Sequence, residues 1–179
     1  MRIAVLTISD AGARGEREDT SGDAIIDWAA ARKYEIAARL LVPDDTVQIV
    51  TALSEWCDLG TVDLVLTTGG TGLSPRDVTP EATRAVIERE APGIAERLRA
   101  VCLTSFPRAA LSRGVSGTRG NTLVVNLPGS PNGVRDSLAA LDPIVDHAVA
   151  ILRGEQGDHH NPTAARSARS RVDAESRVE

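Results

Sequence analysis

Aromatic side chains are nearly missing from this sequence: Trp28, Trp56, Tyr34 and Phe106 make up 2% of its 179 residues. That is too few to stack the successive bases of a single-stranded nucleic acid. Basic charge is in deficit as well, since 20 Lys and Arg against 25 Asp and Glu leave a formal net charge of −5. Binding to nucleic acid by phosphate neutralisation therefore has no basic excess to drive it. The two cysteines, Cys57 and Cys102, stand far apart with no CxxC spacing. This argues against a zinc site or a disulfide framework and for two reduced, buried thiols. No apolar run approaches the ~18 residues of a membrane span. The apolar start, Met1 to Ile8, is too short for a signal peptide and runs directly into acidic and glycine residues. Together these shortages predict a cytoplasmic protein with neither a nucleic-acid nor a membrane partner.

What is present suits one domain. Hydrophobic residues make up 42% of the chain, enough for a single packed core. Residues 3–8, 62–68 and 122–127 are apolar almost throughout rather than alternating, the pattern of parallel strands buried on both faces. Residues 34–42 form a further strand candidate ending at Val42-Pro43. Between them lie helical patterns. One starts at Ser21, after a polar loop from Ser9 to about Thr20; another starts at Asp44-Asp45, where Asp45 and Gln48 fit a capping box. Thr79 is placed to cap a helix running to about Glu90, with Pro80 in its first turn. A helix over roughly 94–104 follows. The last helices open at Ser130-Pro131, break near Pro143 and stop at Gly154. Alternation of this kind predicts βαβ crossovers, that is, an α/β fold with a mostly parallel central sheet covered by helices on both faces. Residues 155–179 are polar and lack large hydrophobes apart from Val172 and Val178. They are expected to be a disordered tail after a domain spanning 1–154.

Ligands of open parallel sheets bind beyond the carboxyl ends of the strands, and two motifs stand at such ends. The first is Thr67-Thr68-Gly69-Gly70-Thr71-Gly72, followed by Arg76-Asp77-Val78-Thr79-Pro80. Glycine amides can converge on phosphate oxygens, and the Thr68 and Thr71 hydroxyls add donors. Asp77 can hold a magnesium ion that bridges phosphates, or simply cap the coming helix. No Gly-Lys-Ser/Thr follows, so this is not a Walker A loop, and the GGTG spacing does not fit the dinucleotide fingerprint. The second motif is Leu127-Pro128-Gly129-Ser130-Pro131, where free helix amides favour an anion; Ser130 either donates to a phosphate or caps the helix. Asp44 has two readings as well, a helix-start acid or a site residue.

In order along residues 2–153, these segments closely resemble the MogA/MoaB family of molybdenum cofactor biosynthesis proteins. The match runs through Thr7-Ile8-Ser9-Asp10, Glu18 to Gly22, Val42-Pro43-Asp44-Asp45, Thr67 to Gly72, Arg76 to Ala82, Leu111-Ser112-Arg113-Gly114 and Asn126 to Pro131. The pairing of TTGGTG with RDVTPEA is the specific part. The resemblance implies a three-layer α/β/α sandwich, usually trimeric and sometimes hexameric. It implies a nucleotidyltransferase, molybdopterin adenylyltransferase: the terminal phosphate of molybdopterin attacks the α-phosphate of ATP, pyrophosphate leaves, and Mg2+ assists. The product then serves a downstream molybdenum-insertion protein. Carried onto this chain, Asp44 and Asp77 match the catalytic acids, with Asp77 the candidate magnesium ligand. Gly69 to Gly72 match the nucleotide loop with Thr68 beside it, Pro128, Gly129 and Ser130 match the second ligand loop, and Ser9 and Asp10 lie near the same pocket. A phosphate nucleophile is already ionised at neutral pH, in keeping with the scarcity of histidine: His147 falls in a late helix, His159 and His160 in the tail. Asn132 stands where many members carry a lysine. Two competing readings are a catalytically inactive MoaB-like paralogue that binds molybdopterin and a CinA-type hydrolase of nucleotide derivatives. The continuation Thr71-Gly72-Leu73-Ser74-Pro75-Arg76-Asp77 disfavours the second.

Overall fold

The computed structural model describes residues 1–155. The expectation for 155–179 therefore lies, apart from Glu155, outside the described residues, as do His159 and His160. In chain order the elements are β1 (Arg2–Ile8), α1 (Asp10–Ala13), α2 (Thr20–Ala31), β2 (Glu35–Val42), α3 (Thr46–Asp58) and β3 (Leu64–Thr68). Then come α4 (Thr79–Val86), β4 (Arg89–Glu90), α5 (Pro92–Leu103), a 3-10 turn (Pro107–Leu111), β5 (Ser116–Arg119), β6 (Thr122–Leu127) and α6 (Pro131–Leu152).

The strands form one six-stranded sheet in the order β2-β1-β3-β6-β5-β4. Pairings β1–β2, β1–β3 and β3–β6 are parallel; β5–β6 and β4–β5 are antiparallel. The apolar strands face two cores. Ile3, Val5, Leu64, Leu66, Leu123 and Val125 pack with Ile25 of α2, Leu98 of α5 and Leu138 and Leu141 of α6. Ala4, Leu6, Val65 and Val124 pack with Ile49 and Leu53 of α3 and Ala82 and Val86 of α4. Burial on both faces is why these strands carry no polar alternation. The result is the expected three-layer α/β/α sandwich with a mostly parallel sheet.

Asp45 and Ser130 cap α3 and α6: Asp45 accepts from the Gln48 amide at 2.9 Å, and Ser130 from the Gly133 amide at 3.2 Å. The other half of the expected capping box is not made, since the Asp45 amide donates to the Pro43 carbonyl at 2.8 Å. Other boundaries shift. The loop after β1 contains a single helical turn, capped by Ser9, whose Oγ accepts from the Gly12 amide at 3.1 Å. The helix expected to reach Glu90 ends at Val86, and Arg89–Glu90 pair with Thr118 and Gly117. That short, polar antiparallel edge carries no hydrophobic periodicity, so only pairing reveals it. Thr79 is not the cap of α4; Val78 occupies that position without a side-chain bond, and the Thr79 hydroxyl turns to the Gly69 carbonyl at 2.9 Å. Nor does Pro143 break the last helix, since α6 runs through it. The proline sits on the solvent face, and Arg97 of α5 donates to the carbonyl of Ala140 at 2.8 Å. The carbonyl that loses its helical donor to Pro143 is that of Ala139, on an exposed residue, and the Arg97 bond braces the neighbouring carbonyl.

Candidate active site

Strand order puts the carboxyl ends of β1, β3 and β6 side by side, and the order reverses beside β1, where an open α/β sheet binds its ligands. The glycine loop leaves β3 and the Pro128-Gly129-Ser130 turn leaves β6. They touch: a side chain at Gly129 would stand 3.2 Å from the Gly69 Cα. Thr68, fully buried, ties them by donating to the Pro128 carbonyl at 2.7 Å. This corrects one expectation. The Thr68 hydroxyl is committed between the loops and is not a donor for a ligand. Gly69 and Gly70 have φ of +98° and +61°, and a Cβ on Gly69 would collide with the Ile8 carbonyl oxygen. Glycine is required there by backbone sign and by close approach alike.

The two loops line a cleft of about 850 Å3. Gly70, Thr71, Gly72 and Asp77 form one side, and Pro128, Gly129 and Ser130 another. Leu98, Cys102 and Phe106 add an apolar wall from α5 and the segment after it. Ser9, Asp10, Asp44, Thr68 and Gly69 are not in that lining. They organise its rim from behind.

The rim is a set of carboxylates. Asp10 and Asp44 exchange bonds: each side chain accepts from the other's backbone amide at 3.0 Å. Asp10 also receives the Arg76 guanidinium in a fork, at 2.9 and 3.0 Å. Asp77 closes its own loop by accepting from the Ser74 amide at 2.9 Å. The glycines make room for both acids, because a Cβ on Gly70 would meet Asp44 Oδ1 at 2.9 Å and one on Gly72 would meet Asp77 Oδ2 at 2.9 Å. Two carboxylates thus rest directly on the glycine loop.

Their surroundings differ. The Arg76 guanidinium, helped by the Asp44 amide, holds Asp10 below the ordinary carboxylate range. Burial pushes Asp44 above it; the Asp10 amide opposes this, while the negative charges of Asp10 and Asp77 reinforce it. A group that resists ionising beside two other acids gains most from a cation or a ligand that brings one.

Residues 4–147 match the sequence profile of the family described as "Probable molybdopterin binding domain". The chain belongs to the MogA/MoaB molybdopterin-binding family. It is 38% identical to the "Molybdopterin adenylyltransferase" of Helicobacter pylori over 161 residues, covering 86% of this chain and 89% of that one. It is 41% identical to the protein of the same name from Escherichia coli over 141 residues, covering 77% and 72%. Among solved structures, the molybdopterin biosynthesis enzyme MoaB of Thermus thermophilus is 53% identical, with a TM-score of 0.81 over 86% of this chain and 96% of that one.

In this MogA/MoaB member the sequence motifs marked the loops but not the side chains that shape them. Asn126, buried in β6, donates from Nδ2 to the hydroxyls of Thr67 and Thr83, both at 2.9 Å, and its Oδ1 accepts from the Val115 amide at 3.1 Å. It joins β3, α4 and the chain entering β5, and it lines the cleft. Its signal was an amide side chain in an otherwise apolar strand. Arg76 and Arg113 also went unassigned, although both stood inside matching segments.

Proposed function

We propose that this protein is a molybdopterin adenylyltransferase, moving AMP from ATP to the terminal phosphate of molybdopterin with release of pyrophosphate. The reading is carried by one observation. The glycine loop and the Pro128-Gly129-Ser130 turn touch each other and face one cleft in which Asp77 stands. Relatives at 38% and 41% identity that bear this name support it.

The residues divide the work as follows. Amides of Gly70 to Gly72 and of the α6 start face phosphate oxygens, where the positive end of the helix favours an anion. Asp77 in the cleft, with Asp44 behind the glycine loop, would hold Mg2+, which would supply neutralisation of phosphate charge. The apolar wall at Leu98, Cys102 and Phe106 keeps water from one side of the cleft. The chain's contribution is chiefly alignment of two phosphates and stabilisation of charge.

Among the described residues no helix is long and apolar enough to cross a membrane. On the strength of the family resemblance we place the reaction in the cytoplasm, in a homotrimer or hexamer of this chain, with the product passing to a molybdenum-insertion protein. We assign the catalytic unit to residues 1–154.

The test is product analysis after mixing the protein with molybdopterin and Mg-ATP. Adenylylated molybdopterin and pyrophosphate in equal amounts are expected. Binding of both substrates without turnover would support the inactive-paralogue reading instead, and release of AMP without transfer would point to a hydrolase.

A further inference from the structure

Arg113 occupies an unusual position for a side chain outside the cleft. Its neighbours Ser112 and Gly114 line the cavity; Arg113 does not. Its guanidinium instead reaches back under the loop that carries Asp77. Nε donates to the Gly72 carbonyl at 2.6 Å and NH2 to the Asp77 carbonyl at 2.6 Å. NH1 forms a close ion pair with Glu81, in the first turn of α4. Its own backbone amide donates to the Thr71 carbonyl at 2.8 Å. A single residue therefore fixes Thr71, Gly72, Asp77 and Glu81, which span the end of the glycine loop, the acid and the start of the next helix.

The segment that presents it is itself anchored. Arg99 of α5 donates to the Gly114 carbonyl at 2.8 Å, and the Ser112 hydroxyl accepts from the Gly114 amide at 3.3 Å. Within the loop, the Asp77 amide donates to the Ser74 carbonyl at 2.9 Å, while its carboxylate takes the Ser74 amide. That small closed turn sets where the carboxylate sits relative to Gly72. The guanidinium uses three separate nitrogens of one rigid plane to reach two carbonyls and a carboxylate; an ammonium offers its three donors from a single atom on a flexible stem.

We propose that Arg113 is a positioning residue for the transfer reaction, a template behind the cleft that holds the Asp77 loop in the shape that binds metal and phosphate. This rests on the adenylyl-transfer reading above. Arg113 touches no substrate and acts through Asp77. Three consequences follow. Arg113→Ala lowers kcat by about 30-fold or more while KM for ATP shifts less than about threefold, and it raises the Mg2+ needed for half-maximal rate by about tenfold. Arg113→Lys keeps the charge but not the fork, and recovers only a small part of the loss. Millimolar guanidinium restores kcat to Arg113→Ala but not to Arg113→Lys, whose side chain fills the space.

The experiment is a double-mutant cycle with Asp77→Ala, together with hydrogen exchange. If Arg113 acts through Asp77, adding Arg113→Ala to Asp77→Ala costs less than about threefold more. Losses that multiply would overturn the proposal. Hydrogen exchange gives a readout independent of turnover, so it decides the matter even if the wild-type protein proves inactive. Amides of Ser74 and Asp77 should exchange at least about tenfold faster in Arg113→Ala, with β1, β3 and β6 unchanged; unchanged exchange at those two amides would equally end it. Should Arg113→Ala fail to fold, Arg113→Lys and Glu81→Gln carry the same measurements with smaller expected changes.

Discussion

The two ends of the central sheet handle carboxylates in opposite ways. At the amino end, Asp63 is 4% exposed immediately before β3. It accepts from the Arg2 amide at 2.5 Å and from the guanidinium of Arg153, past the end of α6, at 2.6 Å, with the Arg2 side chain also in contact. Burial would raise its pKa, but these donors outweigh it and leave the group below the ordinary carboxylate range. At the carboxyl end, Asp44 has one amide for compensation and two acids for company, and its pKa is raised. The first arrangement is complete within the chain and pins the two termini of the domain to the sheet. The second leaves like charges that the fold alone does not satisfy, the pattern expected of an active site.

That contrast is best broken at Asp77. Asp77→Ala should lower adenylyl transfer by about 100-fold or more, the range for removal of a positioned charge, while the melting temperature stays within a few degrees. Pyrophosphate release under saturating Mg-ATP measures it, and turnover like that of the wild type would remove Asp77 from the mechanism. Asp44→Asn keeps an oxygen for the Asp10 amide and removes one of three clustered negative charges. Activity should fall by about tenfold or more while stability at neutral pH holds or rises slightly.

Asp63→Ala should do the reverse. Removing the buried partner of two arginines costs about 2–3 kcal/mol, below the full buried-pair value because Arg2 and Arg153 are partly solvated. That is a fall in melting temperature of roughly 5–10 °C for a chain of this length. The rate per folded molecule should not change. If Asp44→Asn destabilised as much as Asp63→Ala, the two ends would not differ as described.

The pH dependence sharpens the same point. The folded pKa of Asp63 is depressed, so its stabilisation is present above the ordinary value of about 3.9 and is lost as pH falls through the lower folded value. The folded pKa of Asp44 is raised, so its contribution favours the folded state below about 3.9 and declines as pH rises through the raised value. Denaturation midpoints measured from about pH 2.5 to 7 should therefore show Asp63→Ala converging on the wild type at the acid end. Asp44→Asn should show a gain over the wild type that appears only above about pH 4. The smallest expected effect is at Asn132, which lines the cleft and accepts from Arg135 at 3.2 Å. Asn132→Lys should lower KM for the anionic substrates by about two- to fivefold, an exposed-charge effect that salt removes.

Several features were legible because they are local. Continuous apolar strands, the Asp45 and Ser130 caps and the glycine-rich turn after β3 each follow from neighbouring residues alone. Features that depend on a distant partner were not. The β4–β5 edge exists because Arg89 meets Thr118, and nothing in either polar segment announces it. Pro143 reads as a break, yet α6 continues through it with the ring on the exposed face and with α5 packed alongside, where Arg97 donates to the Ala140 carbonyl. Thr68 and Thr79 read as a ligand donor and a cap until the Pro128 and Gly69 carbonyls claim them.

By itself the sequence determined the α/β layering, the family and the two glycine-containing loops at the strand ends. Periodicity, backbone permissiveness and motif spacing are properties of short stretches of chain. Only the tertiary structure decided that the two loops touch, that Asp10 and Arg76 lock the rim, and that Asp44 is destabilised where Asp63 is satisfied. Those are facts of distance and dielectric between residues that the chain order keeps far apart, and folding alone brings them together.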